Sequence, residues 1–350
     1  YERFRQEHPH WIVYGSETDS CMSSRGVYDT RLVDACQQQK GETTRAPNSL
    51  TDASVRAGNP VTAVKRDDLQ VTSWDTVGMT APDYEFAAQQ DFPWLLGQFV
   101  WTGFDYLGEP APYQSEWPSR SSYFGIFDTC GFPKDRYYLY KCQWADTPVL
   151  HLLPHWTWPG ADGKTLPVLC YSTYPAAELF VNGRSLGRRR KNADDVFGRY
   201  RLIWREVTYE PGELKVIAYD DDDQAVAETV VATAGAPAAL RATIDRAEIA
   251  ADGDDLAFVT VEAVDAHGRR CPTADPRMTV HVDGPADLLA VDNGDPTDLE
   301  PFQQADRCLF NGLALAIVRS RQDASGGVTI AVSADGLQGD DVRLVTGADA

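Results

Sequence analysis

Two segments of the chain place a carboxylate or an indole at the end of an apolar strand. The first, Trp11 to Gly15, is followed directly by Ser16, Glu17 and Thr18, and the second, Leu95 to Phe104, contains Trp101. A carboxylate held rigidly at a strand end can attack an anomeric carbon and stabilise the positive charge that develops there. The sequence therefore predicts Glu17 as a catalytic residue and Trp101 as one wall of a binding pocket.

A polar and aromatic loop follows the second strand. Rings and carboxylates together suit a platform beneath a sugar, since hydroxyl groups donate to carboxylates and ring faces stack. Three side chains of this loop are candidate substrate-binding residues: Asp105, Tyr106 and Glu109. Asp105 and Glu109 could equally anchor the loop. A core role for Trp101 and an inert, solvated Glu17 are the plainer alternatives.

The elements around these residues alternate as βα units do. Helices are predicted over Glu2 to His8, Asp83 to Gln90 and Asp135 to Trp144, with Asp29 to Gln39 as a further candidate and a polar loop over 41–67. Parallel strands deliver their carboxyl ends to one edge. We therefore interpret residues 1–146 as a region of βα units, and we expect Glu17 and Trp101 to share an edge.

The pattern changes to short strands without intervening helices after this region. Such spacing, with Asn-Gly and Asp-Gly turns, predicts two immunoglobulin-like β-sandwiches at 147–234 and 235–350. The fold class is thus mixed α/β followed by all-β. The run Asp220 to Asp223 is predicted to be a solvated turn, with calcium binding as the minor alternative, and Arg188 to Lys191 is predicted at a hairpin tip.

Composition excludes several classes of partner. The 32 basic and 52 acidic residues give a net charge of −20, which argues against nucleic acid and anionic membranes. Apolar runs fall short of the roughly 20 residues that span a bilayer. Seven cysteines without metal-binding spacing are predicted to be reduced and mostly buried. The sequence predicts no cofactor and no metal site, and it leaves oligomeric state and compartment open.

A resemblance sharpens this interpretation. In this order, three segments resemble the β-galactosidase-like glycoside hydrolases of family 2: Tyr14 to Thr18, Ser23 to Gly26 and Gly97 to Pro110. The sandwich domains that follow the barrel in this family are similar to four later segments: Leu153 to Trp156, Glu178 to Gly187, Ala250 to Leu256 and Val291 to Asp295. The resemblance extends over essentially the whole chain.

The resemblance implies a retaining, exo-acting β-glycosidase, most similar to β-galactosidases, that forms a covalent glycosyl-enzyme. Glu17 matches the nucleophile at the end of barrel strand seven, and Trp101 matches the aromatic residue at the end of strand eight. The resemblance thus implies that residues 1–146 are the C-terminal portion of a (β/α)8 barrel and contribute its last two βα units. Asp105, Tyr106 and Glu109 match the loop beside the pocket. β-Glucuronide or β-mannoside specificity, and a non-catalytic sandwich module that binds carbohydrate or a partner, are the alternatives.

The chain departs from the family in length. Family members carry an acid/base glutamate on barrel strand four, but only sixteen residues precede Glu17 here. A complete barrel needs roughly 250 residues. We therefore expect a C-terminal part whose partner is the remainder of the barrel, and we expect this chain alone to be inactive. Strands at such a boundary should have an open edge and exposed apolar side chains.

Overall fold

The fold is described from a computed structural model that covers residues 1–28, 68–73, 77–78 and 81–347, with only the backbone described at 77–78. The predicted helix at 29–39 and the predicted loop at 41–67 lie outside these residues. Contacts divide the chain into one unit of residues 1–128 and 133–231 and another of 129–132 and 232–350.

The first unit begins with a parallel pair of strands flanked by helices. Its elements are α1 (Glu2–Glu7), β1 (Val13–Thr18), β2 (Cys21–Met22), β3 (Val77–Gly78), α2 (Pro82–Asp91), β4 (Leu95–Val100) and α3 (Asp135–Trp144). The three predicted helices are confirmed within a residue or two. Strand β1 begins later than predicted and includes Glu17, which had been placed after the strand, because ladder bonds to β4 continue to Thr18.

Strands β1 and β4 pair only with each other among the described strands. Large apolar side chains on and near the pair are open to solvent, in agreement with the predicted open edge: Trp11, Ile12, Tyr14, Leu96 and Phe99. Neighbouring strands or helices normally cover such surface, since burial contributes about 25 cal/mol per Å². The pair is therefore a sheet segment with room for further strands.

The remainder of the first unit is a β-sandwich. Its strands are β5 (Leu150–Leu153), β6 (Thr165–Ser172), β7 (Ala176–Val181), β8 (Arg184–Arg190), β9 (Arg201–Thr208), β10 (Glu213–Tyr219) and β11 (Ala225–Ala232). They form a sheet of order β5-β6-β9 and another of order β11-β10-β7-β8. Both sheets contribute buried side chains to one core, among them Val168, Trp204, Leu179 and Val216.

Two sequence predictions about the turns have different outcomes. Asn182 and Gly183 both have positive φ, 48° and 77°, and join β7 to β8 as the predicted hairpin turn. The predicted hairpin tip at Arg188 to Lys191 is wrong, because Arg188 and Arg190 lie within β8. They pair there with Asp223, in the predicted turn between β10 and β11.

The second unit is another β-sandwich with its own core. Its strands are β12 (Pro237–Ile244), β13 (Glu248–Ala250), β14 (Leu256–Asp265), β15 (Arg277–Asp283), β16 (Ala286–Asp292), β17 (Asp306–Cys308), β18 (Leu313–Ser320), β19 (Gly326–Ala334) and β20 (Asp340–Gly347). They form sheets of order β12-β14-β18-β16 and β13-β20-β19-β15-β17. Alternating residues of β14, including Val259 and Val261, point into the core between them.

A buried ion pair joins the helical region of the first unit to its sandwich. Asp83 of α2 and Arg201 of β9 are both fully buried, and the Arg201 Nε donates to the Asp83 Oδ1 at 3.0 Å while a second guanidinium nitrogen donates to Oδ2. The core cluster likewise combines Phe86 and Leu139 with sandwich residues. The helical region and the sandwich of the first unit thus share one core, and the three-domain division stays a prediction.

Breaking this ion pair should destabilise the chain strongly. We expect Asp83→Asn to lower the free energy of unfolding by about 3 kcal/mol, because the guanidinium would stay buried without its counter-charge. Urea unfolding provides the measurement. The control is Asp91→Asn on the same helix, whose exposed pair with Arg199 should contribute less than about 1 kcal/mol. Equal losses in the two variants would contradict the prediction.

Candidate active site

The carboxyl ends of β1 and β4 bring the two main candidates together. The backbone N–H of Trp101 donates to the backbone carbonyl oxygen of Thr18 at 2.9 Å. Glu17 directly precedes Thr18 in the chain. Adjacent strands lie about 4.8 Å apart. The Glu17 side chain is exposed to solvent. Glu17 and Trp101 therefore share one edge, as the strand pattern predicted.

Trp101 is half-buried between a core and a loop. It packs against a small cluster formed by Met22, Val71, Tyr113, Tyr123 and Phe124. The Tyr106 ring meets the indole edge to face, with the ring centroids 6.0 Å apart and the planes at 85°. Packing on one side leaves part of the indole accessible. This is the geometry of a fixed aromatic wall and not of a fully enclosed core residue.

Tyr106 and Glu109 form a local pair on the same loop. The Tyr106 hydroxyl donates to the Glu109 Oε2, and burial together with this carboxylate raises the pKa of the phenol to about 12. Glu109 is exposed and has a φ of 46°. The pair leaves the second Glu109 oxygen and the Tyr106 ring at the rim of the site.

Asp105 has a different environment, because it is buried. Its Oδ1 accepts the Gly125 N–H at 2.7 Å, and its Oδ2 lies 2.6 Å from the Lys134 Nζ. Burial raises the pKa of Asp105 to about 6. Both carboxylate oxygens thus have partners within the protein. Of the two roles that the sequence left open for Asp105, the structure favours anchoring of the loop.

Lys134 is a site residue that sequence reasoning missed. Its fully buried ammonium donates to the Ser23 carbonyl at 2.6 Å and the Tyr123 carbonyl at 3.2 Å, in addition to the pair with Asp105. It thereby joins three segments beneath Trp101. The local sequence, a lysine after Pro133 at the start of α3, is typical of a solvated helix start, so no sequence signal indicates this burial.

Asp19 is a second buried carboxyl group, two residues after Glu17. It has a φ of 55°, and its Oδ2 accepts the Tyr140 hydroxyl at 3.2 Å. Its Oδ1 is buried without a hydrogen-bond partner among the described residues. Burial raises the pKa of Asp19 to about 7, with nearby Glu85 raising it further and Arg136 opposing this.

Asp19 should make stability depend on pH. Since an unfolded aspartate has a pKa of about 3.9, protonated Asp19 favours the fold, and this contribution is lost as pH rises through about 7. We expect the unfolding free energy of the natural chain to fall by about 2–3 kcal/mol relative to Asp19→Asn between about pH 5 and about pH 7.5. Urea unfolding of both proteins at both pH values measures this. Parallel pH profiles would contradict it.

Histidines and cysteines do not build a metal centre in the part of the chain that the structure describes. No group of three or more His, Cys, Asp or Glu side chains there could hold an ion. His151 instead pairs with Asp135 at 2.8 Å and stacks on Tyr138. The six described cysteines are free thiols, buried or half-buried. No described helix is long and apolar enough to cross a membrane.

Two family models match the sandwich regions. Residues 240–343 match the glycoside hydrolase family 2 C-terminal domain 5, and residues 163–227 match a domain of unknown function, DUF4982. The first match covers most of the second unit, and the other lies within the sandwich of the first unit.

Individual relatives extend the similarity to the strand pair. The chain is 45% identical over 250 residues, 71% of its length, to the β-galactosidase BoGH2A of Bacteroides ovatus, of which it covers 28%. It is 32% identical, over 87% of its length, to a putative β-glucuronidase of Formosa agariphila, of which it covers 30%. Among solved structures, a β-glycosidase from Bacteroides vulgatus superposes with a TM-score of 0.79 at 30% identity, over 98% of this chain and 43% of that one.

Proposed function

Because the chain belongs to glycoside hydrolase family 2, we propose that it supplies the C-terminal part of a retaining, exo-acting β-glycosidase in which Glu17 is the nucleophile. The observation that carries the proposal is the shared edge of Glu17 and Trp101, joined through the Thr18 to Trp101 backbone hydrogen bond. The chain spans about 30% of the length of the curated relatives that it matches.

Glu17 is suited to covalent catalysis by its placement. Its exposed carboxylate is carried by a paired strand, so the position of the nucleophile is fixed by backbone bonds and not by a mobile loop. Attack of this carboxylate on an anomeric carbon forms a bond to the sugar while the bond to the leaving oxygen breaks. Water then hydrolyses the glycosyl-enzyme, and the sugar departs with its original configuration.

The aromatic wall and its loop are proposed to hold the sugar that is released. Trp101 presents an indole fixed by core packing and by the Tyr106 ring, and the Tyr106–Glu109 pair adds polar groups at the rim. Asp105 acts through its ion pair with Lys134 by positioning the loop. Parallel strands β1 and β4 would then be strands seven and eight of a barrel.

The acid/base group is proposed to lie in a preceding part of the protein. Retaining hydrolysis uses two carboxyl groups about 5–5.5 Å apart. Of the acidic residues described near Glu17, Asp105 is paired with Lys134, Asp19 is buried beneath the strand end, and Glu109 accepts the Tyr106 hydroxyl. We therefore assign the protonation of the leaving oxygen to none of these three. The open edges of β1 and β4 offer room for the missing strands.

A β-galactoside is the proposed substrate. The 45% identical relative is a β-galactosidase. A uronate would need a cation for its carboxylate, but Lys134 and Arg25 are buried and already paired with Asp105 and Asp128. The similarity to a putative β-glucuronidase over 87% of the chain makes a β-glucuronide the second candidate.

Removal of the nucleophile tests the role of Glu17. In a full-length protein that carries this chain, we expect Glu17→Gln to lower kcat by at least about 10³-fold and to abolish labelling by a mechanism-based fluorosugar. Intact-protein mass spectrometry detects the label. The control is Glu7→Gln on α1, which removes an exposed carboxylate and should retain activity and labelling. Persistent labelling of Glu17→Gln would exclude Glu17 as the nucleophile.

A comparison of the full-length protein with the 350-residue chain tests the proposed division of the active site. We expect the full-length protein to hydrolyse an aryl β-galactoside faster than the matching β-glucuronide. The 350-residue chain alone should hydrolyse neither substrate, because the general acid and most of the pocket are proposed to lie in the preceding part of the protein. Initial rates of aryl release provide the measurement. Turnover by the isolated chain would contradict the proposed location of the acid/base group.

A further inference from the structure

A cleft of about 560 Å³ lies in the first unit, at the opposite end of β4 from Trp101. The C-terminal ends of α2 and α3 line it together with the loops that follow β6 and β8. Asp91, which ends α2, precedes β4 by four residues, whereas Trp101 directly follows that strand. Six strand residues span about 20 Å. The cleft is therefore separate from the edge that carries Glu17.

Lys191 supplies the cleft with a cation that lacks an acidic partner. Its half-buried Nζ donates to the Ser172 carbonyl oxygen at 2.6 Å, and no carboxylate among the described residues lies within ion-pairing distance of it. Burial lowers the pKa of Lys191. An ammonium has three donors. Lys191 can therefore donate to a ligand that enters the cleft.

The other polar groups of the cleft suit hydroxyl groups. Arg199 and Asp91 form a pair at its wall, in which one guanidinium nitrogen lies 3.0 and 3.1 Å from the two carboxylate oxygens. Gln143 adds an amide, whereas the Thr173 hydroxyl already bonds the Val149 backbone, accepting its N–H at 3.1 Å and donating to its carbonyl oxygen at 3.3 Å. Together these side chains carry a local charge of +1, in a chain whose net charge is −20. The cleft thus combines one unbalanced cation with several uncharged donors and acceptors.

We propose that this cleft is a second, non-catalytic saccharide site that binds a uronate unit, with Lys191 holding the sugar carboxylate and the surrounding amide and ion-pair groups bonding its hydroxyls. A carboxylate supplies the negative charge that Lys191 lacks, and a charge-assisted hydrogen bond is stronger than one between neutral groups. The volume is in the range of pockets that enclose small ligands.

Saturation-transfer NMR on the 350-residue chain tests the site without requiring catalysis. The probes are methyl β-D-glucuronide, methyl β-D-glucoside, which has a hydroxymethyl group in place of the carboxylate, and acetate, which has no ring hydroxyls. We expect saturable binding of the glucuronide and at least about tenfold weaker binding of the other two. Lys191→Met should weaken glucuronide binding at least about tenfold, and Lys191→Arg should retain it.

Lys164→Met, which removes an exposed lysine of the same unit outside the cleft, should bind as the natural chain does. Far-UV circular dichroism and thermal unfolding would establish that each variant is folded. Unchanged binding by folded Lys191→Met, equal affinity for the glucoside, or no saturable glucuronide binding would overturn the proposal. None of these results depends on the role of Glu17.

Discussion

The arrangement of the candidate active site depends on one buried ammonium group. Lys134 reaches from the start of α3 to the Ser23 and Tyr123 carbonyls and to the Asp105 carboxylate. These segments surround the cluster on which Trp101 packs. An uncompensated charge in such a place would cost several kcal/mol, so the segments are held where their oxygens satisfy it. The loop behind the aromatic wall is fixed by this requirement.

Three carboxyl groups lie near the carboxyl end of β1, and they differ in exposure and in hydrogen bonding. Glu17 is exposed on a paired strand, Asp19 is buried with one oxygen unbonded, and Asp105 is buried with both oxygens satisfied. Only the exposed group is free to meet a ligand. The two buried groups hold the surrounding backbone in place. Asp105 does so through its ion pair with Lys134, and Asp19 does so by accepting the Tyr140 hydroxyl.

The candidate active site and the Lys191 cleft lie at opposite ends of β4 in the first unit. The edge with Glu17 and Trp101 lies at the carboxyl end of the strand, and the Lys191 cleft lies about 20 Å away near its start. The sandwich core extends into the helical region, since Phe86 and Leu139 pack with sandwich residues and Asp83 pairs with Arg201. The helical region therefore depends on contacts with the sandwich for its stability. Residues of both regions line the cleft.

The sequence by itself determined the elements with strong local signals. Helix α3, the hairpin at Asn182 and the alternating strands of both sandwiches follow from periodicity and turn chemistry, and the motif around Glu17 and Trp101 indicated the family. Only the tertiary structure decided the environments of Asp105, Lys134 and Lys191. Their burial depends on partners distant in the chain, such as Ser23 for Lys134, and no local pattern encodes such contacts.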